Sequence, residues 1–191
     1  MSYAALCFRL LLGVVFALSV FGTVRSRRTF TEFIGSVETL GGVAGPVARL
    51  TAVGVVVTEL VVVATVIPVA TSAAGLTLAI VLLGAFTFVL ARALRRKRGV
   101  SCHCFGASDA PISAVHLVRN AFLMAAAVVG LILGTRHTTA GIAPAGIVLC
   151  SVVAVVAAGM VAFLDDLVAL FVLPPALSPP APRQPAPDRL R

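Results

Sequence analysis

Apolar residues arrive along this chain in long unbroken blocks, at residues 4–24, 50–70, 73–94, 113–134 and 142–164. Each block is close to the ~20 mostly apolar residues that a helix needs to cross ~30 Å of hydrocarbon. Barrel strands would alternate at period two, and these blocks do not, so the pattern predicts spanning helices. The expected fold is therefore all-α, a polytopic membrane helical bundle over residues 1–173 with five spans. Only Thr71 and Ser72 separate the second and third blocks. Pro68 helps to end the second helix because it has no N–H and crowds the preceding turn. Those two helices are expected to form a tight antiparallel hairpin.

The polar stretches refine this outline. Residues 25–49 read as a loop carrying Gly41, Gly42, Gly45 and Pro46. Within it, Phe30, Phe33, Ile34 and Val37 recur at spacings of three and four. That is the signature of an amphipathic helix lying against the bundle. Asp165 and Asp166 interrupt the last block, which leaves residues 167–173 as an interfacial extension. The proline-rich tail over residues 174–191 is expected to be disordered. A cleavable signal would begin with a basic segment. Here the first charge, Arg9, already sits inside the apolar run, with Arg25, Arg27 and Arg28 after it. The first block therefore reads as a retained span.

Composition excludes a soluble enzyme. The chain is 60% hydrophobic and 12% charged, whereas a soluble domain is roughly 45–50% apolar and about 25% charged. Its mean hydropathy is +1.10. The net charge of +8 sits at the block boundaries, so it points to lipid headgroups and not to nucleic acid. One side of the predicted bundle carries Arg25, Arg27, Arg28, Arg49, and the run Arg92, Arg95, Arg96, Lys97 and Arg98. The other carries little beyond Arg136 and His137. By the positive-inside rule the N-terminus lies outside and the basic loops lie in the cytoplasm. The run ending at Arg98 reads first as a topology anchor.

The segment after that anchor holds the candidate chemistry. Cys102-His103-Cys104-Phe105-Gly106 stands just before the fourth span, which opens with His116, Arg119 and Asn120. A thiolate is the nucleophile of disulfide exchange, and nearby cations and helix N-termini favour it. Cys102 and Cys104 have both, and a bond within Cys-x-Cys closes a strained ring of the labile kind. A second reading is a soft metal site, Cys102, His103 and Cys104 holding Cu(I). Zinc would want four ligands at wider spacing. A third is a tight turn whose cysteines merely pack. Cys7 and Cys150 lie inside apolar runs, where cysteine usually acts as a small hydrophobe. They fall at similar depth from the same predicted face, so they meet if their helices are neighbours, giving a second thiol pair.

Ionisable groups within spans are costly and are functional candidates by default. Glu59 lies near the middle of the second span, and Arg119 about two turns into the fourth. The two are expected to face one another across the bundle, as a structural ion pair or in support of the thiols. His116, one turn before Arg119 and Asn120, shares their side of the helix and either packs or carries protons. Arg9 is expected to snorkel to the outer face.

These residues resemble the MauE family of membrane proteins, within the wider DoxX-like, redox-associated group. The likeness rests on Cys102-His103-Cys104-Phe105-Gly106 followed by Arg119-Asn120, with further agreement at Phe21-Gly22, Arg25, Phe30, Phe33 and Glu59. It covers about residues 5–165. The resemblance implies a DoxX-like four-helix core plus a fifth C-terminal span. It also implies a thiol–disulfide oxidoreductase role in maturing exported proteins, alongside a thioredoxin-like partner. Cys102, Cys104 and Arg119 would carry the exchange, with His103, Phe105, Gly106, Asn120, Glu59 and His116 in support. Analogy with quinone-linked disulfide oxidoreductases makes a quinone the one cofactor to consider, although no quinone site is legible. One tension stands. The charge rule puts Cys102 and Cys104 in the cytoplasm, whereas maturation outside the cell favours the other face, unless electrons pass outward from a cytoplasmic donor. A copper-handling protein and a non-catalytic membrane scaffold are the other classes that the sequence leaves open.

Overall fold

The computed structural model describes residues 2–95, 114–136 and 143–162. These form six helices: α1 (Ser2–Val24), α2 (Arg27–Gly41), α3 (Pro46–Val66), α4 (Ser72–Arg95), α5 (Ala114–Arg136) and α6 (Pro144–Ala162). Five of them, all but α2, are long and apolar enough to span a bilayer. The chain is thus an all-helical, multi-pass membrane protein. The motif at residues 102–106, the basic residues 96–98, the segment 167–173 and the tail 174–191 lie outside the described residues.

α1 is the central helix. Half of its apolar window is buried (50%), against 17% for α6, and it packs on α3, α5, α6 and α2. Its inner stripe, Ala5, Arg9, Leu12, Phe16, Ser19 and Thr23, advances by three or four residues, which keeps it on one face of a helix. α3 answers with Ala48, Ala52, Val56, Glu59, Val62 and Val66. The outward faces are apolar too, with Leu50, Phe88, Val118 and Leu149 exposed, as suits helices whose solvent is lipid.

The expected amphipathic helix is α2. Ser26 caps it: its hydroxyl accepts from the backbone N–H of Thr29 at 3.1 Å, and Thr29 returns a bond to the Ser26 backbone. This reciprocal box satisfies donors that no helical carbonyl can reach. Gly42 ends the helix in the left-handed conformation at φ 68°, where a Cβ would be strained. Phe33 packs with Ala52 and Val56 of α3, and Phe30, Ile34 and Val37 flank it. The polar side, including Arg28 and Glu32, stays at the surface.

α3 starts at Pro46, earlier than the apolar block alone suggests, and ends at Val66. Proline at the first position of a helix gives up only an N–H that has no partner there. The α3–α4 hairpin is as tight as expected. Thr71 donates to the Thr65 carbonyl at 2.8 Å, and Ser72 donates to Val69 at 2.9 Å. Gly75 makes the close approach possible: a Cβ there would sit 2.7 Å from the Val66 nitrogen and 2.9 Å from the Thr65 carbonyl carbon. Backbone cannot step aside as a side-chain tip can. Gly75→Ala is therefore expected to pry the hairpin apart and destabilise the bundle by about 1–3 kcal/mol. Titration with a denaturing detergent measures this, and an unshifted unfolding midpoint would refute the packing described.

Candidate functional site

Four helices converge on a polar cluster in an otherwise apolar interior. α1 contributes Ser19, α3 contributes Glu59, and α5 contributes His116, Arg119 and Asn120. α4 closes the space with Leu83, Phe86 and Leu90. All five polar residues are buried, with Glu59 keeping 5% of its surface exposed and Arg119 6%. Their convergence follows from register. Ser19 continues the inner stripe of α1, and Glu59 sits between Val56 and Val62 on the inner stripe of α3. His116, Arg119 and Asn120 lead into Leu123, Ala126 and Ala127 on the buried face of α5.

The Ser19 hydroxyl donates to the Glu59 carboxylate at 2.9 Å. This bond supplies one of the partners that a buried carboxylate needs. Among the residues lining the cavity, Glu59 is the only acid and Arg119 the only permanent cation. Sequence reasoning placed Glu59 and Arg119 face to face, and the structure brings both to one cavity. It also puts His116 and Asn120 beside Arg119, as the helical spacing requires. The cavity measures about 40 Å³, enough for water, which needs about 10–15 Å³. A buried acid, a guanidinium and an imidazole around such a space form a setting that can stabilise an anion or move a proton.

Arg119 and Asn120 lie five and six residues into α5, or ~8–9 Å from its start at 1.5 Å per residue. The residues that join α4 to the start of α5 include Cys102, His103, Cys104, Phe105 and Gly106. These five lie outside the described residues, so the polar cluster is the part of the predicted site that has a geometry.

Arg9 departs from expectation. It does not snorkel; it is 4% exposed and turns inward to the end of α3. Its Nε donates to the Val66 carbonyl at 2.9 Å, and its Nη2 donates to the Ile67 carbonyl. Carbonyls at a helix C-terminus lack intrahelical partners and carry the negative end of the helix dipole. A guanidinium satisfies both needs at once. Sequence reasoning did not single out Ser19. The available signal was a hydroxyl on the inner stripe of a span, level with a buried acid on the neighbouring helix.

A second larger cavity, about 200 Å³, lies between α2, α3 and α4 and shares Phe86 and Leu90 with the first. Its wall is apolar apart from Ser36 and Thr51. Both hydroxyls donate to carbonyls of their own helices, Glu32 and Val47. The wall of this larger cavity is thus almost wholly apolar.

The family model for methylamine utilisation protein MauE matches residues 1–133. The chain belongs to the MauE family. The matched stretch holds α1 to α4, most of α5 and the Cys102-x-Cys104 motif, whereas α6 lies beyond it. No curated protein and no solved structure matches the chain.

Proposed function

We propose that this MauE-family protein is a membrane thiol–disulfide oxidoreductase. It exchanges electrons through Cys102 and Cys104 with a thioredoxin-like partner during maturation of exported proteins. Its setting is a bacterial plasma membrane, and its process is methylamine utilisation, as the family's description suggests. The observation that carries the reading is the buried cluster of Ser19, Glu59, His116, Arg119 and Asn120, the last three of which stand on α5, the helix that follows the cysteine motif.

The exchange is balanced between protein thiols. A thiolate of the reduced partner attacks one sulfur of the Cys102–Cys104 disulfide and releases the other as a thiolate. The partner's second thiolate then attacks the mixed disulfide. The partner leaves oxidised, and Cys102 and Cys104 keep two electrons and two protons. Transfer of both to the disulfide of a second protein restores the starting state. Arg119 favours the thiolate form, since a nearby cation lowers the cost of the anion. His116 is placed one turn before it to hold or pass the released proton.

Single-cysteine variants test this reading. With Cys104→Ser or Cys102→Ser, oxidation of a reduced thioredoxin-fold partner is expected to fall to the uncatalysed rate. One of the two variants should accumulate a mixed disulfide visible on a non-reducing gel. Undiminished partner oxidation by Cys102→Ser would overturn the proposal.

A further inference from the structure

Cys7 and Cys150 are the two cysteines among the described residues, and both are thiols. They come from opposite ends of the described chain and meet where α1 packs along α6. Cys7 lies five residues after Ser2, and Cys150 six residues after Pro144. At 1.5 Å per residue both are ~8–9 Å from their helix starts. The match in depth sets them level, and both line one groove between the two packed helices.

The surroundings hold this pairing in place. The Cys150 thiol donates to the carbonyl of Tyr3 at 3.5 Å, one helical turn before Cys7. The Tyr3 hydroxyl accepts from the Ala143 N–H at 3.3 Å, so the ring bridges the start of α6. Gly146 lets the ring lie flat on α6: a Cβ there would fall 2.1 Å from Tyr3 Cε1. A groove of about 320 Å³ between α1 and α6 is lined by Tyr3, Cys7, Gly146 and Cys150 among others. Cys150 is 4% exposed, whereas Cys7 is half-buried. The two sulfurs therefore differ in access, and only Cys7 is placed to meet a reactant.

Chain connectivity puts this pair at one end of the bundle, with the α3–α4 hairpin. α2, the end of α4 and the start of α5 lie at the other. The Cys102–Cys104 motif falls between α4 and α5, so it does not account for this pair. Cys150 also lies outside the family match.

We propose that Cys7 and Cys150 form a second dithiol/disulfide couple, which reacts with disulfide substrates at the α3–α4 hairpin end of the bundle. The Cys7 thiolate attacks the substrate disulfide, forming a mixed disulfide and releasing one substrate sulfur as a thiolate that takes up a proton. The Cys150 thiolate then attacks Cys7 Sγ, closing the intramolecular disulfide and releasing the second substrate sulfur. Two electrons and two protons pass from the couple to the substrate, and a dithiol reverses the step. The two cysteines line one groove at matched depth, so the ~2.05 Å bond is closed between helices that are already packed together.

The test uses the full chain carrying Cys102→Ser and Cys104→Ser, in which Cys7 and Cys150 are the only cysteines. Its result is therefore independent of the reading of Cys102 and Cys104. The protein is equilibrated with mixtures of reduced and oxidised glutathione, quenched with acid, denatured and labelled with a maleimide-polymer. Both labels are expected to disappear together as the mixture becomes more oxidising, at monomer mobility, and to return with dithiothreitol. In the same background Cys150→Ala is expected to stop at one glutathione on Cys7, which mass spectrometry reads. Two labels at every ratio, or oxidation only into chain–chain dimers, would overturn the proposal.

Discussion

Replacing Arg9 with leucine is expected to destabilise the bundle by about 3–5 kcal/mol. The side chain makes two charge-assisted hydrogen bonds, to the carbonyls of Val66 and Ile67. Bonds of this kind are each worth about 1.5–3 kcal/mol. Leucine fills similar space but leaves both carbonyls at the end of α3 without a donor, in a region of the bundle that excludes water. Arg9→Lys is expected to recover only part of the loss, because an ammonium cannot fork to two acceptors as a guanidinium does. Unfolding in a denaturing-detergent titration measures both variants. An Arg9→Leu protein as stable as the parent would show that these bonds contribute nothing.

The second large effect belongs to the polar cluster. Glu59→Leu removes the only acid lining the cavity and leaves the Arg119 cation there; Arg119→Leu does the reverse. Each is expected to cost about 3–5 kcal/mol, the usual result of stranding one member of a buried charge set. The double variant removes both charges at once. It should lose less than the sum of the single losses by more than about 1 kcal/mol, since residues that share a network do not add. Additive losses would mean that Glu59 and Arg119 share the cavity without acting on one another. The same variants separate structure from chemistry. Glu59→Gln keeps the shape and the bond from Ser19, so an exchange rate that falls in this variant without loss of stability points to a role for the charge itself.

The spans and α2 were legible because both signals are local. Block hydropathy needs only one stretch of chain, and the spacing of Phe30, Phe33, Ile34 and Val37 needs only a helical period. The start of α3 at Pro46 was less legible. Residues 46–49 include Arg49 and fall below the apolar threshold, yet proline at the first position and Ala48 packed inward extend the helix. Glu59 and Arg119 were identifiable as costly residues inside apolar runs, and their placement on one cavity could be anticipated from their positions in the spans.

What sequence hid was direction. Arg9 looked like a side chain that would climb to the nearest water, but its partners are Val66 and Ile67 at the end of α3, fifty-seven and fifty-eight positions away, and nothing local reveals them. Ser19 was hidden for the same reason: one hydroxyl in a span usually bonds its own helix, as Thr58 does to Gly54 at 2.7 Å. Ser19 instead reaches Glu59 on the neighbouring helix. The placement of Cys7 and Cys150 along one groove lay between these cases. Matched depth hinted at it, but only the packing of α1 on α6 brings the two cysteines to one groove.

The central claim, that Cys102 and Cys104 form a redox-active couple, is tested most directly by labelling them in intact cells. Membrane-impermeant and permeant maleimides are applied before and after reduction, in a chain carrying Cys7→Ala and Cys150→Ala. The account predicts that both cysteines label only after reduction, and positive-inside charge predicts that only the permeant reagent reaches them. Labelling of both as thiols in every state, whatever the reagent, would contradict the claim.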